Sequence, residues 1–168
     1  MAEIHVPLEI SVTLQTNPLG GAVTVSVDDI VADSAREALL NDIERKLVGQ
    51  QNNLVYRTVR EAHDQLERYA TTNDYHVEPL IDSFDGVETS RSRTAVYAEW
   101  SWEHKVMSFW EFGVSPHTIS GNPLLRFYWE KIGQWIKTDS VEWGSETGGI
   151  PPSRAVRDSL HSLRRELS

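Results

Sequence analysis

The chain opens on a clean alternation. Ile4, Val6, Leu8, Ile10, Val12 and Leu14 are apolar, with mostly polar residues between them. A period of two puts successive side chains on opposite faces of a strand, so this segment has one face to bury. The cluster Thr16-Asn17-Pro18-Leu19-Gly20-Gly21 breaks the run, and Val23, Val25 and Val27 resume it. The pair predicts a β-hairpin. Pro7 has no N–H to give to a ladder, which places the first strand at an edge or at a bulge.

Two helices are predicted next. Asp33 or Ser34 is placed to cap the first, whose stripe is Leu39, Leu40, Ile43 and Leu47, and Gly49 ends it. The second runs from about Asn53 to Thr71. Its seam of Val55, Val59, Ala62, Leu66 and Tyr69, at steps of four and three, is the most regular in the chain.

From Tyr75 the pattern turns strand-like. A strand is expected over 77–87, interrupted near Pro79, with Ser83-Phe84-Asp85-Gly86 as a solvated turn. A better one runs from Thr94 to His104, with Val96, Ala98, Trp100 and Trp102 on one side. Phe109–Phe112 reads as a short aromatic strand, and further strands are expected at 124–129 and 141–143. After Gly144, Gly148 and Gly149, Pro151-Pro152-Ser153 leads into a last helix lined by Val156, Leu160, Leu163 and Leu167. The order of hairpin, helices, antiparallel sheet and terminal helix predicts an α+β fold. Residues 1–32 read as a hairpin extension and 33–168 as the core domain.

Composition narrows the function classes. Among 168 residues there is no cysteine, so disulfides, thiolate metal sites and cysteine nucleophiles are excluded. No apolar run approaches the ~20 residues of a membrane-spanning helix, and Met1-Ala2-Glu3-Ile4-His5 lacks signal-peptide character. A soluble protein made in the cytoplasm is expected. Twenty-five acids face sixteen bases, a net charge of −9, which argues against tight phosphate binding. The acidity and the shortage of lysine also fit a high-salt host; full stability in low salt would count against that reading. Residues 1–35 contain acids and no Lys or Arg, whereas the C-terminal segment is rich in arginine (Arg154, Arg157, Arg164, Arg165). Ends of opposite sign suit head-to-tail contacts between copies.

No phosphate loop, dinucleotide fingerprint, nucleophile elbow or HExxH is present. Glu103, His104, Glu111 and His117 are candidate metal ligands by type, but their spacing matches no closed site. Asp82, Asp85 and Glu88 near Gly86 are better read as turn residues than as an acid–base pair. All six tryptophans lie in the second half. Without a basic surround they suit a core and a protein interface better than nucleic-acid stacking.

The stretch Trp110-Glu111-Phe112-Gly113-Val114-Ser115-Pro116-His117-Thr118-Ile119 is the most informative. With the apolar segment Leu125–Phe127, Val141, the glycine-rich break, Pro151-Pro152 and Arg154-Ala155 opening the last helix, it resembles the tail-component or tail-completion family of tailed double-stranded DNA viruses. The resemblance covers about residues 35–168 and includes the amphipathic helix over 53–71. It implies a structural virion protein of the head–tail neck without catalytic groups, metal or cofactor. Such a subunit forms a homo-oligomeric ring, commonly a hexamer, and meets the tail tube and the head connector or stopper, while DNA passes through without tight binding. The motif residues Glu111, Phe112, Gly113, Pro116, His117 and Arg154 are then candidate interface positions. Gly113 is expected at positive φ, Pro116 stiffens the exit, and Glu111 accepts hydrogen bonds that fix the loop.

The edge formed by Ile4, Val6, Leu8, Ile10 and Val12 is expected to pair with a neighbouring subunit or to reach another neck protein. Deletion of residues 3–28 is expected to spare the core and abolish assembly. Two other readings stay open: a small metal-dependent hydrolase or nuclease using Glu103, Glu111 and His117, and a cytoplasmic protein-binding module of a halophile.

Overall fold

A computed structural model of the chain describes residues 10–17, 19–28, 32–50 and 53–167. Ile4, Val6, Leu8 and Pro7 lie outside the described residues.

The alternating N-terminal segment forms β1 (Ile10–Asn17) and β2 (Gly20–Val27), an antiparallel hairpin with Val12 opposite Val25 and Leu14 opposite Val23. Then follow α1 (Asp33–Val48), α2 (Leu54–Asn73), α3 (Glu78–Ile81), β3 (Phe84–Arg91), β4 (Ala95–Trp102), α4 (Val106–Phe112), β5 (His117–Trp129), β6 (Gln134–Trp143) and α5 (Ala155–Leu167). Four strands make an antiparallel sheet in the order β1-β2-β4-β3, and β5 and β6 form a separate two-stranded ribbon. The fold is α+β.

The core lies between one face of the sheet and helices α1, α2 and α5. Val23, Val25 and Val27 of β2 and Val96, Ala98, Trp100 and Trp102 of β4 alternate inward. They meet Leu40 and Leu47 of α1, Val55, Val59, Ala62 and Leu66 of α2, and Val156, Leu160 and Leu163 of α5. Each fully buried aliphatic or aromatic side chain contributes about 1.5–3 kcal/mol. The even residues of β4 and the seam of α2 are the ones the sequence pattern singled out. Asn53 caps α2, its side-chain oxygen accepting the Tyr56 N–H at 2.9 Å. Among the described residues no helix is long and apolar enough to cross a membrane.

Four expectations are corrected. First, the hairpin is no extension hung on a separate core. β2 pairs with β4 along its length and its valines are core residues, so deleting residues 3–28 would open the core as well as remove an edge. β1 does lie at the sheet edge, but Val12 and Leu14 pack on the core, and of its described apolar residues only Ile10 stands well exposed. Second, Phe109–Phe112 belongs to helix α4. Burial of Met107, Trp110 and Glu111 follows helical spacing, and this tertiary demand overrides the strand preference of aromatic residues. Third, residues 78–81 form a helical turn, started by Pro79, whose fixed φ and missing N–H suit a first turn. Ser83–Gly86 is no turn between strands: β3 begins at Phe84, and Gly86, at φ 96°, sits in a bulge between Phe84 and Val87. Fourth, neither Asp33 nor Ser34 caps α1; its N-cap is Ala32, and the Asp33 carboxylate is bound to buried Arg36.

Candidate functional site

The motif around Glu111 is a clamp. Glu111, in the last turn of α4, is almost fully buried, and its two carboxylate oxygens accept the backbone N–H groups of Val156 and Arg157, each at 3.0 Å. Those are unsatisfied donors at the first turn of α5, where the helix dipole also favours an anion. Gly113 follows at φ 75°, and a Cβ there would lie 2.7 Å from the Ile150 carbonyl oxygen. Val114 and Ile150 exchange two backbone hydrogen bonds, of 2.8 and 2.9 Å, and the Ser153 N–H donates to the Trp110 carbonyl at 2.6 Å. Gly149 is needed for this closure, because a Cβ on it would sit 2.1 Å from the Val114 carbonyl oxygen. Tyr69 of α2 adds a strut, its hydroxyl donating to the Pro151 carbonyl at 2.6 Å. Burial, with Tyr75 nearby, pushes the Tyr69 phenol up to about 12, so it stays a donor at any physiological pH.

The clamp holds the root of the β5–β6 ribbon. His117 faces Trp143 across the first rung, their rings 5.2 Å apart. The ribbon then bends: between the pairs Ser120–Ser140 and Leu125–Thr138, residues 121–124 of β5 stand opposite Asp139 alone. Gly121 permits the bend, since a Cβ there would lie 2.2 Å from the Leu125 N. Bending brings Trp129, at the far end of β5, to the same cleft as Trp143 at the near end of β6. This cleft measures about 690 Å³; Tyr75, Trp110, Trp129 and Trp143 form aromatic walls, and Asp74, Glu142 and Glu146 supply carboxylates.

The other face of the ribbon is turned outward. Tyr128 and Trp135 lie opposite each other, as do Arg126 and Lys137. Trp135 is 63% exposed, Tyr128 50% and Leu124, at the bend, 49%. The Arg126 guanidinium lies 5.0 Å from the centre of the Trp135 ring, a cation–π contact. Few monomeric proteins leave so many large apolar side chains together in water without using them.

The described residues among those singled out by sequence fall in four places. Glu111, Gly113 and Pro116 belong to the clamp, with Pro116 against Gly149. Phe112 is 59% exposed and lines a shallow pocket with Arg154, Arg157 and Thr16. Arg154, at φ 58°, directly precedes α5. His117 is exposed at the ribbon root, its Nδ1 3.0 Å from the Ser115 carbonyl oxygen. Ile10 and Val12 lie away from these on β1. Glu103, Glu111 and His117 are not gathered into a ligand set; among the described residues no group of three or more His, Asp or Glu is placed to hold a metal. The strand expected at 124–129 is there, but its outward face was not foreseen. Its signal was there: Leu124-Leu125-Arg126-Phe127-Tyr128-Trp129 is apolar at both parities, which a strand buried on one face does not need.

Compared with known proteins, the chain matches no family model, and no curated protein or solved structure is significantly similar to it.

Proposed function

We propose that this chain is a non-enzymatic structural subunit of a tailed virus particle, one copy of a homo-oligomeric ring between tail tube and head connector. The observation that carries the reading is the β5–β6 ribbon: an arm with solvent-facing aromatics, rooted in a rigid clamp built from the motif that resembles the tail-completion family. Exposed aromatic area of this kind stabilises the isolated chain little and gains free energy when another protein covers it. Glu111 supports the same reading. Both of its carboxylate oxygens are engaged in capping α5, a role that needs no reacting group. The net charge of −9 suits a passage through which DNA slides without being gripped.

The test is mass spectrometry of purified particles from the host, joined to an image of the neck that traces chains. The polypeptide is expected in mature particles, at the head–tail interface. Particles that join normally and lack it would end the proposal, and tight DNA binding in a gel-shift assay at physiological salt would favour a DNA-handling role instead.

A further inference from the structure

Two surfaces of this molecule are opposite in character. On the outward face of the ribbon, Arg126 and Lys137 stand directly across from each other beside Tyr128 and Trp135. Like charges opposed across two strands repel, and a carboxylate placed over them relieves the repulsion. The second surface is a groove of about 490 Å³ between the C-terminal end of α2 and helix α3. Ala70, Val77 and Ile81 give it an apolar floor, Glu67, Glu78 and Asp82 an acidic rim, and no Lys or Arg lines it.

We infer that the outward ribbon face of one copy docks in the α2–α3 groove of the next. Aromatic and aliphatic groups meet an apolar floor of suitable character, and the two bases meet the carboxylate rim. The ribbon does not reach its own groove with this face, because its other face, bearing Trp129, is the one turned to the cleft that shares Tyr75 with the groove. The contact is therefore between different patches on two identical chains. Such a contact repeats head to tail until rotation closes a ring. The inference rests on the ring-forming part of the function proposed above and not on membership of a particle.

A charge exchange tests it. One variant carries Arg126→Glu and Lys137→Glu, a second carries Glu78→Lys and Asp82→Lys, and a third carries all four changes. All four positions are exposed, so circular dichroism should report the native fold for each. Sedimentation at low salt should show the wild-type chain self-associating. Each double variant should associate at least about tenfold more weakly, since like charges then face each other. The fourfold variant, with signs exchanged on both surfaces, should recover association. A wild-type chain that remains monomeric to its solubility limit would overturn the inference, as would double variants that associate normally or a fourfold variant that does not recover. So would loss of single-stranded oligonucleotide binding, with no change in association, as the only effect of the ribbon variant. A chain that associates in this way but is missing from particles would sink the particle reading alone. One found in particles but indifferent to these charges would sink the docking alone.

Discussion

The four-stranded sheet and the β5–β6 ribbon are both antiparallel β-structure, yet they stand in opposite relations to water. In β4 every second side chain is sealed beneath helices, Trp100 and Trp102 among them. In the ribbon no residue of either strand is fully buried, and Trp129 and Trp135 are about half exposed or more. The same residue type therefore does two jobs. Within the sheet it stabilises the chain that carries it; on the ribbon it contributes little until something else arrives. The clamp is the boundary between the two regimes. It passes the rigidity of the body to the ribbon root through backbone hydrogen bonds and one buried carboxylate.

Substitutions should separate these regimes. Trp100→Ala should cost the body about 3–5 kcal/mol by leaving a cavity in the core. Urea denaturation would read this, and a loss below about 1 kcal/mol would mean that the site collapses or is not packed as described. Glu111→Ala should cost about 2 kcal/mol, because the buried Val156 N–H and the partly buried Arg157 N–H lose their acceptor. Glu111→Gln, which keeps one acceptor oxygen, should cost less. Equal costs for both changes, measured in the same way, would show that the carboxylate is not acting as a cap.

His63 gives a smaller, pH-dependent effect. Its Nε2 accepts the Trp102 indole N–H at 3.0 Å, and burial depresses its basicity, against the pull of Glu67 and Asp64. The folded chain thus binds a proton less readily than the unfolded chain, whose histidine titrates near pH 6.5. Stability should be full above that value and fall as pH drops from about 6.5 towards the lower folded-state value. In His63→Gln that part of the acid loss should vanish; an unchanged pH profile would remove His63 as its source. The smallest expected effect is that of Trp135→Ala on folding, within about 0.5 kcal/mol, since the side chain is mostly in water. A large loss would place Trp135 in the fold of its own chain and end the contrast between ribbon and body.

Much of the body was legible in advance. The valines of β2, the even residues of β4 and the seams of α2 and α5 show unbroken periods, because each element has one buried face and burial selects residues at the element's own repeat. Legibility failed where local preference and tertiary demand diverged. Phe109–Phe112 looked like a strand and is helical because Met107, Trp110 and Glu111 must reach the core together. The separate status of the hairpin failed for another reason: pairing of β2 with β4 joins residues 69 to 81 positions apart, and no local pattern carries that partnership. At the site, Gly113 was correctly expected at positive φ and Glu111 was correctly given the role of hydrogen-bond acceptor. Its partners, the first turn of α5, lie some 45 residues on and were out of view.

What the amino-acid sequence determined by itself was the identity of most elements, the inward face of the body strands and helices, and an acidic chain without cysteine chemistry. Period and composition are local quantities, and these follow from them. Only the tertiary structure decided the strand order, the closing of the clamp around Glu111, and the bend that turns one ribbon face inward and leaves Tyr128 and Trp135 in solvent. Those depend on which distant segments meet, and a chain settles that through the combined free energy of all its contacts, not through any one stretch of residues.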